Sequence, residues 1–146
     1  MSNFPCAPKL SPLWKDGTTD GANWFLLEDF LYVSDDANVV AVPAGFITDL
    51  ASTPRPLWNI YPPWGVYGPA AILHDWAYWD QKASRDGADA LLLQAMHALG
   101  VDPVTCRAIY EAVALAGQFA WDNNARLKAG GYTKMVDLTA TQSSLP

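Results

Sequence analysis

The sequence predicts an α+β chain: a small antiparallel β-hairpin or sheet unit followed by a three-helix bundle. Three observations predict it. Two aromatic and β-branched runs, Trp24–Ser34 and Val39–Val42, flank the polar stretch Asp35-Asp36-Ala37-Asn38, which is the pattern of a hairpin. From Pro69 onward, helix starts alternate with helix stops: Pro69, then Ser84 and Asp86, then Asp102-Pro103, with Gly100 and Gly130-Gly131 as ends. A length of 146 residues at 51% hydrophobic and 16% charged suits one domain, 1–146, with a packed core.

Residues 1–22 hold Pro5, Pro8, Pro12, Gly17 and Gly21 and read as an extended arm with at most one short strand near Leu10–Trp14. The hairpin occupies 23–48. With a period of two, Phe30, Tyr32 and Ser34 share one face, and Leu31 and Val33 the other. Pro43 lacks an N–H and should end the second strand.

Residues 49–68, with Pro54, Pro56, Pro62 and Pro63, form a Pro- and aromatic-rich loop. A stretch that long without periodicity is functional or tightly packed. Trp58, Tyr61 and Trp64 read as a core wall, or as a rigid lip for a membrane interface or a protein partner.

Residues 69–130 are helical. The first helix should run to about Lys82. The second should start at a Ser84 or Asp86 cap and end at Leu99, and the third should run from Asp102 past Gly117 toward Gly130. On the third, Ile109, Val113 and Ala116 share a face, with Ala112, Leu115 and Phe119 nearby. Trp76 and Trp79 read as core, and residues 139–146, small and polar, as a frayed tail.

Charge narrows the function classes. Nine Lys and Arg against 15 Asp and Glu give −6, which disfavours nucleic acid as a partner because phosphate neutralisation needs clustered cations. No apolar run is long enough for a transmembrane segment, and the first residues lack the basic-then-apolar pattern of a secretory signal. Cys6 and Cys106 form no redox or metal motif and are expected as reduced thiols. Nucleophile elbows, P-loops and HExxH patterns are lacking.

The chemistry-bearing stretch is Trp64–Asp89, which holds His74 beside Asp75, with Tyr78 one helical turn on. Positions four apart share a helix face and adjacent ones lie about 100° apart, so His74 and Asp75 can face one cleft without touching. A neutral imidazole takes a proton from water when an acceptor on its far nitrogen fixes the tautomer, and a neighbouring carboxylate suits a hard cation such as calcium.

Two carboxylates compete for the accepting role. Asp89 opens the second helix as a cap, a first-turn acid or the orienter. Straight antiparallel helices would set it against the end of the first helix, with Gln94 or His97 closer to His74, whereas a looser first helix ending near Asp80 would bring Asp89 and His74 together. Asp49, in the stretch Thr48-Asp49-Leu50-Ala51-Ser52-Thr53-Pro54-Arg55, is a metal ligand, the acceptor for His74, the partner of Arg55, or a cap. The bland alternative for the whole cluster is a satisfied polar network that locks the first helix in place.

The blocks VPAGFITDLASTP, YGPAAILHDWAYWD and ADALLLQAM resemble a domain-of-unknown-function family common in tailed phages and prophages. That resemblance covers about residues 24–120 and implies phage or prophage origin. Synthesis would then be in the host cytoplasm, with other phage proteins as partners and the phage particle as a destination. The shorter piece AAILHDWAYWDQ with Ala88-Asp89 is similar to the active-site helices of phospholipase A2, the parvoviral type above all. It implies His74 as the base that activates water, Asp75 as a calcium ligand, Asp89 as the acid orienting the histidine, Tyr78 as a hydroxyl on that acid, and phospholipid as substrate.

Overall fold

The computed structural model describes residues 1–15, 17–50 and 65–139, with the side chains of residues 15 and 20 excepted. Five strands precede three helices: β1 Leu10–Lys15, β2 Thr18–Leu26, β3 Phe30–Val33, β4 Val39–Val42, β5 Ile47–Thr48, α1 Gly68–Asp80, α2 Arg85–Ala98 and α3 Pro103–Ala129. The α+β class and the order of sheet before helices are as the sequence predicts.

The strand boundaries differ from expectation at the N-terminal end. The short strand expected near Leu10–Trp14 is β1, but it is not part of a free arm: it pairs antiparallel with β2, a second strand that starts at Thr18, with a register shift between Pro12 and Trp14 that accommodates the proline. β5 pairs with the other edge of β2, giving the order β1-β2-β5. The run Trp24–Ser34 is also not one strand. It breaks after Leu26, and only its second half, β3, forms the expected hairpin with β4, Phe30 opposite Val42 and Val33 opposite Val39. Phe30 and Tyr32 are buried on one face as their period predicts, and β4 ends before Pro43.

The core lies between the strands and the helices. Leu26, Phe30, Tyr32, Val42 and Phe46 pack in one cluster with Ile72, Leu73, Leu92, Met96 and Ile109. Phe4 stacks on Phe30 at 5.3 Å, and the Tyr32 hydroxyl donates to Gln94 Oε1 at 2.8 Å, which ties β3 to α2. After α3 the chain returns beside β5: Ile47 N–H donates to the Lys134 carbonyl and Val136 N–H to the Gly45 carbonyl, both at 2.8 Å. Gly45 has φ +88°, and a Cβ there would meet the Val136 carbonyl oxygen at 2.7 Å, so this crossing requires glycine.

Helix ends set the site. α1 starts with Pro69 in its first turn and stops at Asp80, two residues before the expected end, because Gln81 turns left-handed at φ 54°. Its last carbonyls are satisfied from α3: Asn124 Nδ2 donates to the Tyr78 carbonyl and Lys128 Nζ to that of Asp80, both at 3.1 Å. Ser84 caps α2 by accepting from Gly87 N–H, and Asp102 caps α3 by accepting from Thr105 N–H.

The inward stripe of α3 is Cys106, Ile109, Val113 and Gly117. Ala116 is exposed, and Leu115 and Phe119, expected near that face, stand 87% and 79% exposed. Trp79 is buried and Trp76 packs edge-on against Phe46, as expected of core aromatics. Both cysteines are free thiols. The Trp58–Trp64 stretch, Arg55 with its expected pairing to Asp49, and the tail after Thr139 lie outside the described residues.

Candidate functional site

His74 sits on α1 at 3% exposure, and its Nε2 meets Asp89 Oδ1 at 2.8 Å. Of the two expected arrangements, the one in which the first helix ends near Asp80 is the one observed, and the separation expected of a longer first helix is corrected. His74 lies six residues before the end of α1 and Asp89 four residues after the start of α2. A return through the short Gln81–Ser84 connection therefore brings them level to within two residues, about 3 Å of rise. Gln94 is instead spent on Tyr32, and His97 is exposed on the far part of α2.

Asp89, 2% exposed, is the hub. Its Oδ1 also accepts from the Tyr78 hydroxyl at 2.7 Å, and its Oδ2 accepts from Arg85 Nη1 at 3.2 Å. The same Arg85 nitrogen donates to the Ala114 carbonyl on α3 at 3.2 Å, so one guanidinium joins the hub to a third helix. Arg85 was not among the residues singled out from the sequence, although its spacing of four from Asp89 is an ion-pair pattern for a helix.

Electrostatics fix the protonation of this cluster. Burial pushes the Asp89 carboxyl up, but hydrogen bonds from His74 and Tyr78 and the Arg85 charge outweigh it and hold the group below its ordinary value. Burial pushes the His74 imidazole below its ordinary value, against the pull of Asp89. Burial first, and the bond to Asp89 second, push the Tyr78 phenol up. The resulting state is an ionised Asp89 accepting from a neutral His74 that carries its proton on Nε2, which makes Nδ1 the basic nitrogen of the ring.

That histidine lines a cleft of about 400 Å³, bounded by β5 on one side and α3 on the other. Asp75 and Asp49 line the same cleft, as does Tyr78. Asp75 is fixed from the sheet: the buried Thr48 hydroxyl donates to its Oδ2 at 2.5 Å and accepts from Leu50 N–H at 3.1 Å. Asp49 itself is exposed and does not replace Asp89 at Nε2.

Asp75 and Asp49 are the expected calcium ligands. Calcium takes six to eight oxygens. Among the described residues no group of three or more His, Cys, Asp or Glu converges on one point, and one oxygen of Asp75 is engaged by Thr48. The side chains of the described residues alone therefore do not make up a calcium shell.

Two α3 residues complete the site without a sequence signal. Asn124 holds the end of α1, as described. Gly117 makes room for Tyr78, since a Cβ there would overlap the phenol oxygen and come to 3.2 Å from its ring carbon. Gly117→Ala should therefore displace the Tyr78 hydroxyl and cost about 1–3 kcal/mol by overpacking. In a Tyr78→Phe background the oxygen is gone and the same alanine should cost clearly less. Urea unfolding of the four proteins measures the difference, and equal costs in both backgrounds would refute the contact.

A family model described as "Protein of unknown function (DUF1353)" matches residues 24–113, more than half of the chain. His74, Asp75, Tyr78, Arg85 and Asp89 fall inside that span, whereas Gly117, Asn124 and residues 132–136 fall outside it. No curated protein and no solved structure matches the chain.

Proposed function

The chain belongs to the DUF1353 family, whose description assigns no activity, and for it we propose a hydrolase in which His74 activates water against an ester. The observation that carries this reading is the 2.8 Å His74 Nε2–Asp89 Oδ1 bond on a histidine that lines an open cleft. Asp89 orients the ring and fixes its tautomer; Tyr78 and Arg85 orient Asp89. Water placed at Nδ1 loses a proton to the ring as its oxygen attacks the ester carbonyl carbon. The resulting imidazolium, stabilised by ionised Asp89, returns the proton to the departing alkoxide, giving acid and alcohol.

The arrangement of base, acid and hydroxyl on two helices is the one that the phospholipase A2 resemblance implies, which supports a lipid ester as substrate. No helix among the described residues is long and apolar enough to cross a membrane. The three sequence blocks support a phage or prophage source.

The test is turnover of a panel of nitrophenyl and phospholipid esters by the wild type and by His74→Gln. Hydrolysis by the wild type that falls away in a folded His74→Gln is the expected result. A variant that keeps turnover would sink the reading.

One observation favours a second, non-enzymatic reading, in which the chain is a virion, tail-associated or host-interaction protein. The bonds to Asp89 tie α1 to α2, and Arg85 carries the network on to the Ala114 carbonyl of α3, so the cluster accounts for its residues as a structural lock. That reading expects His74→Gln to lose stability while no ester is turned over by either protein.

A further inference from the structure

We infer that Lys134 supplies the positive charge of the cleft, stabilising the oxyanion that forms when water adds to the ester carbonyl. The inference rests on the hydrolase reading and adds its missing half. General-base attack leaves a negative charge on the carbonyl oxygen, and a fixed donor lowers its cost. Asp49, Asp75 and Lys134 all line the cleft, and Lys134 is the one Lys or Arg among its described lining residues.

Three features suit Lys134 to the role. Its backbone is pinned: the Lys134 carbonyl accepts from Ile47 N–H on β5, and the next residue, Met135, bridges Phe46. Its ammonium is placed, lying 5.4 Å from the centroid of the Trp79 ring, one helical turn along α1 from Asp75. It is also not neutralised. Lys9, Lys82, Arg85 and Arg107 each pair with a carboxylate, whereas among the described residues none lies within ion-pair distance of Lys134. In a chain with 15 acids and nine bases, an uncommitted ammonium held over an aromatic face at a cleft is a candidate for an anion.

In the step itself, the water oxygen bonds to the carbonyl carbon while His74 Nδ1 takes its proton. The carbonyl electron pair moves onto oxygen, where a Lys134 N–H donates to it. When that pair re-forms the carbonyl, the alkoxide leaves with the proton from His74, and Lys134 is unchanged.

Hexyl methylphosphonate, a singly charged tetrahedral mimic with an apolar tail, is the probe, with hexanol as the neutral control. Calorimetry and thermal shift are run on the wild type, Lys134→Gln, Lys134→Arg and His74→Gln, each in EGTA and in calcium. The expected result is binding to the wild type in EGTA, weakened at least tenfold in Lys134→Gln and largely restored in Lys134→Arg, with all three variants folded. Turnover of any ester found should fall on the order of 100-fold in Lys134→Gln, mainly in kcat.

Absent binding to the wild type, equal binding to Lys134→Gln, or binding and turnover that need calcium and ignore Lys134 would each overturn the inference. The two readings fail separately. Turnover lost in His74→Gln but kept in Lys134→Gln removes Lys134 alone. Turnover kept in His74→Gln removes the base, whatever the phosphonate does.

Discussion

Asp89→Ala should destabilise the fold by about 3–5 kcal/mol, the largest stability loss expected from any single change in the cluster. The alanine removes the acceptor of three donors at once, those of His74, Tyr78 and Arg85. Two of the three side chains are buried, and the guanidinium would be left without its carboxylate between α2 and α3. Urea unfolding measures the cost; a loss under 1 kcal/mol would mean that the three donors re-pair with water.

The same cluster sets an acid limit on stability. His74 and Asp89 both hold their protons less tightly in the fold than they would unfolded. The unfolded chain therefore binds more protons as the pH falls, and stability drops on acidification. The His74 contribution is complete above the unfolded histidine value of about 6.5 and is lost as pH falls from there through its lower folded value. The Asp89 contribution begins to be lost below about 3.9. His74→Gln should abolish the upper of these two declines and leave the lower one.

What could be read from the sequence was what neighbouring residues decide. The β3–β4 hairpin follows from alternation around a four-residue polar turn, and the starts of α2 and α3 follow from Ser84 and Asp102 as caps, because each is a bond within a few positions. The β1–β2 hairpin was hidden because its prolines and glycines suggest an arm; Pro12 is absorbed at an irregular register instead.

Whether Asp89 reaches His74 turns on where α1 ends, Lys82 or Asp80. Extending α1 by two residues slides the antiparallel register, and nothing local announces that Gln81 will turn left-handed. That end is set from α3, through Asn124 and Lys128. Gly117, Asn124 and Lys134 stand 43 to 60 residues beyond His74, so their place around it is a product of packing that no spacing rule carries. On α3 the pattern itself misled. Leu115 and Phe119 are as apolar as the residues that are buried, but the stripe that meets Tyr78 has to run through Gly117, which turns them outward.

Asp89→Asn should cost far less stability than alanine and yet lower turnover by about 10²–10⁴-fold, nearly as much as His74→Gln. Arg85 is the reason. An asparagine presents one carbonyl oxygen and one NH₂ where aspartate presents two acceptors. The guanidinium at Oδ2 admits only the oxygen, since two donors facing each other would repel. The NH₂ must then lie where Oδ1 was, against His74 Nε2 and the Tyr78 hydroxyl. An NH₂ donating to Nε2 forces the ring proton onto Nδ1, and the nitrogen that should accept from water becomes a donor. The base is lost although every heavy atom keeps its place.

The chain has two histidines, so ring ¹⁵N shifts of His74 can be assigned by difference with His97→Gln. The wild type should report Nε2–H and Asp89→Asn should report Nδ1–H. In Asp89→Asn/Arg85→Gln the constraint on the amide is lifted, and the Nε2–H form should partly return along with turnover. If Asp89→Asn keeps Nε2–H, Arg85 does not set the orientation; if the tautomer flips without loss of turnover, His74 is not the base.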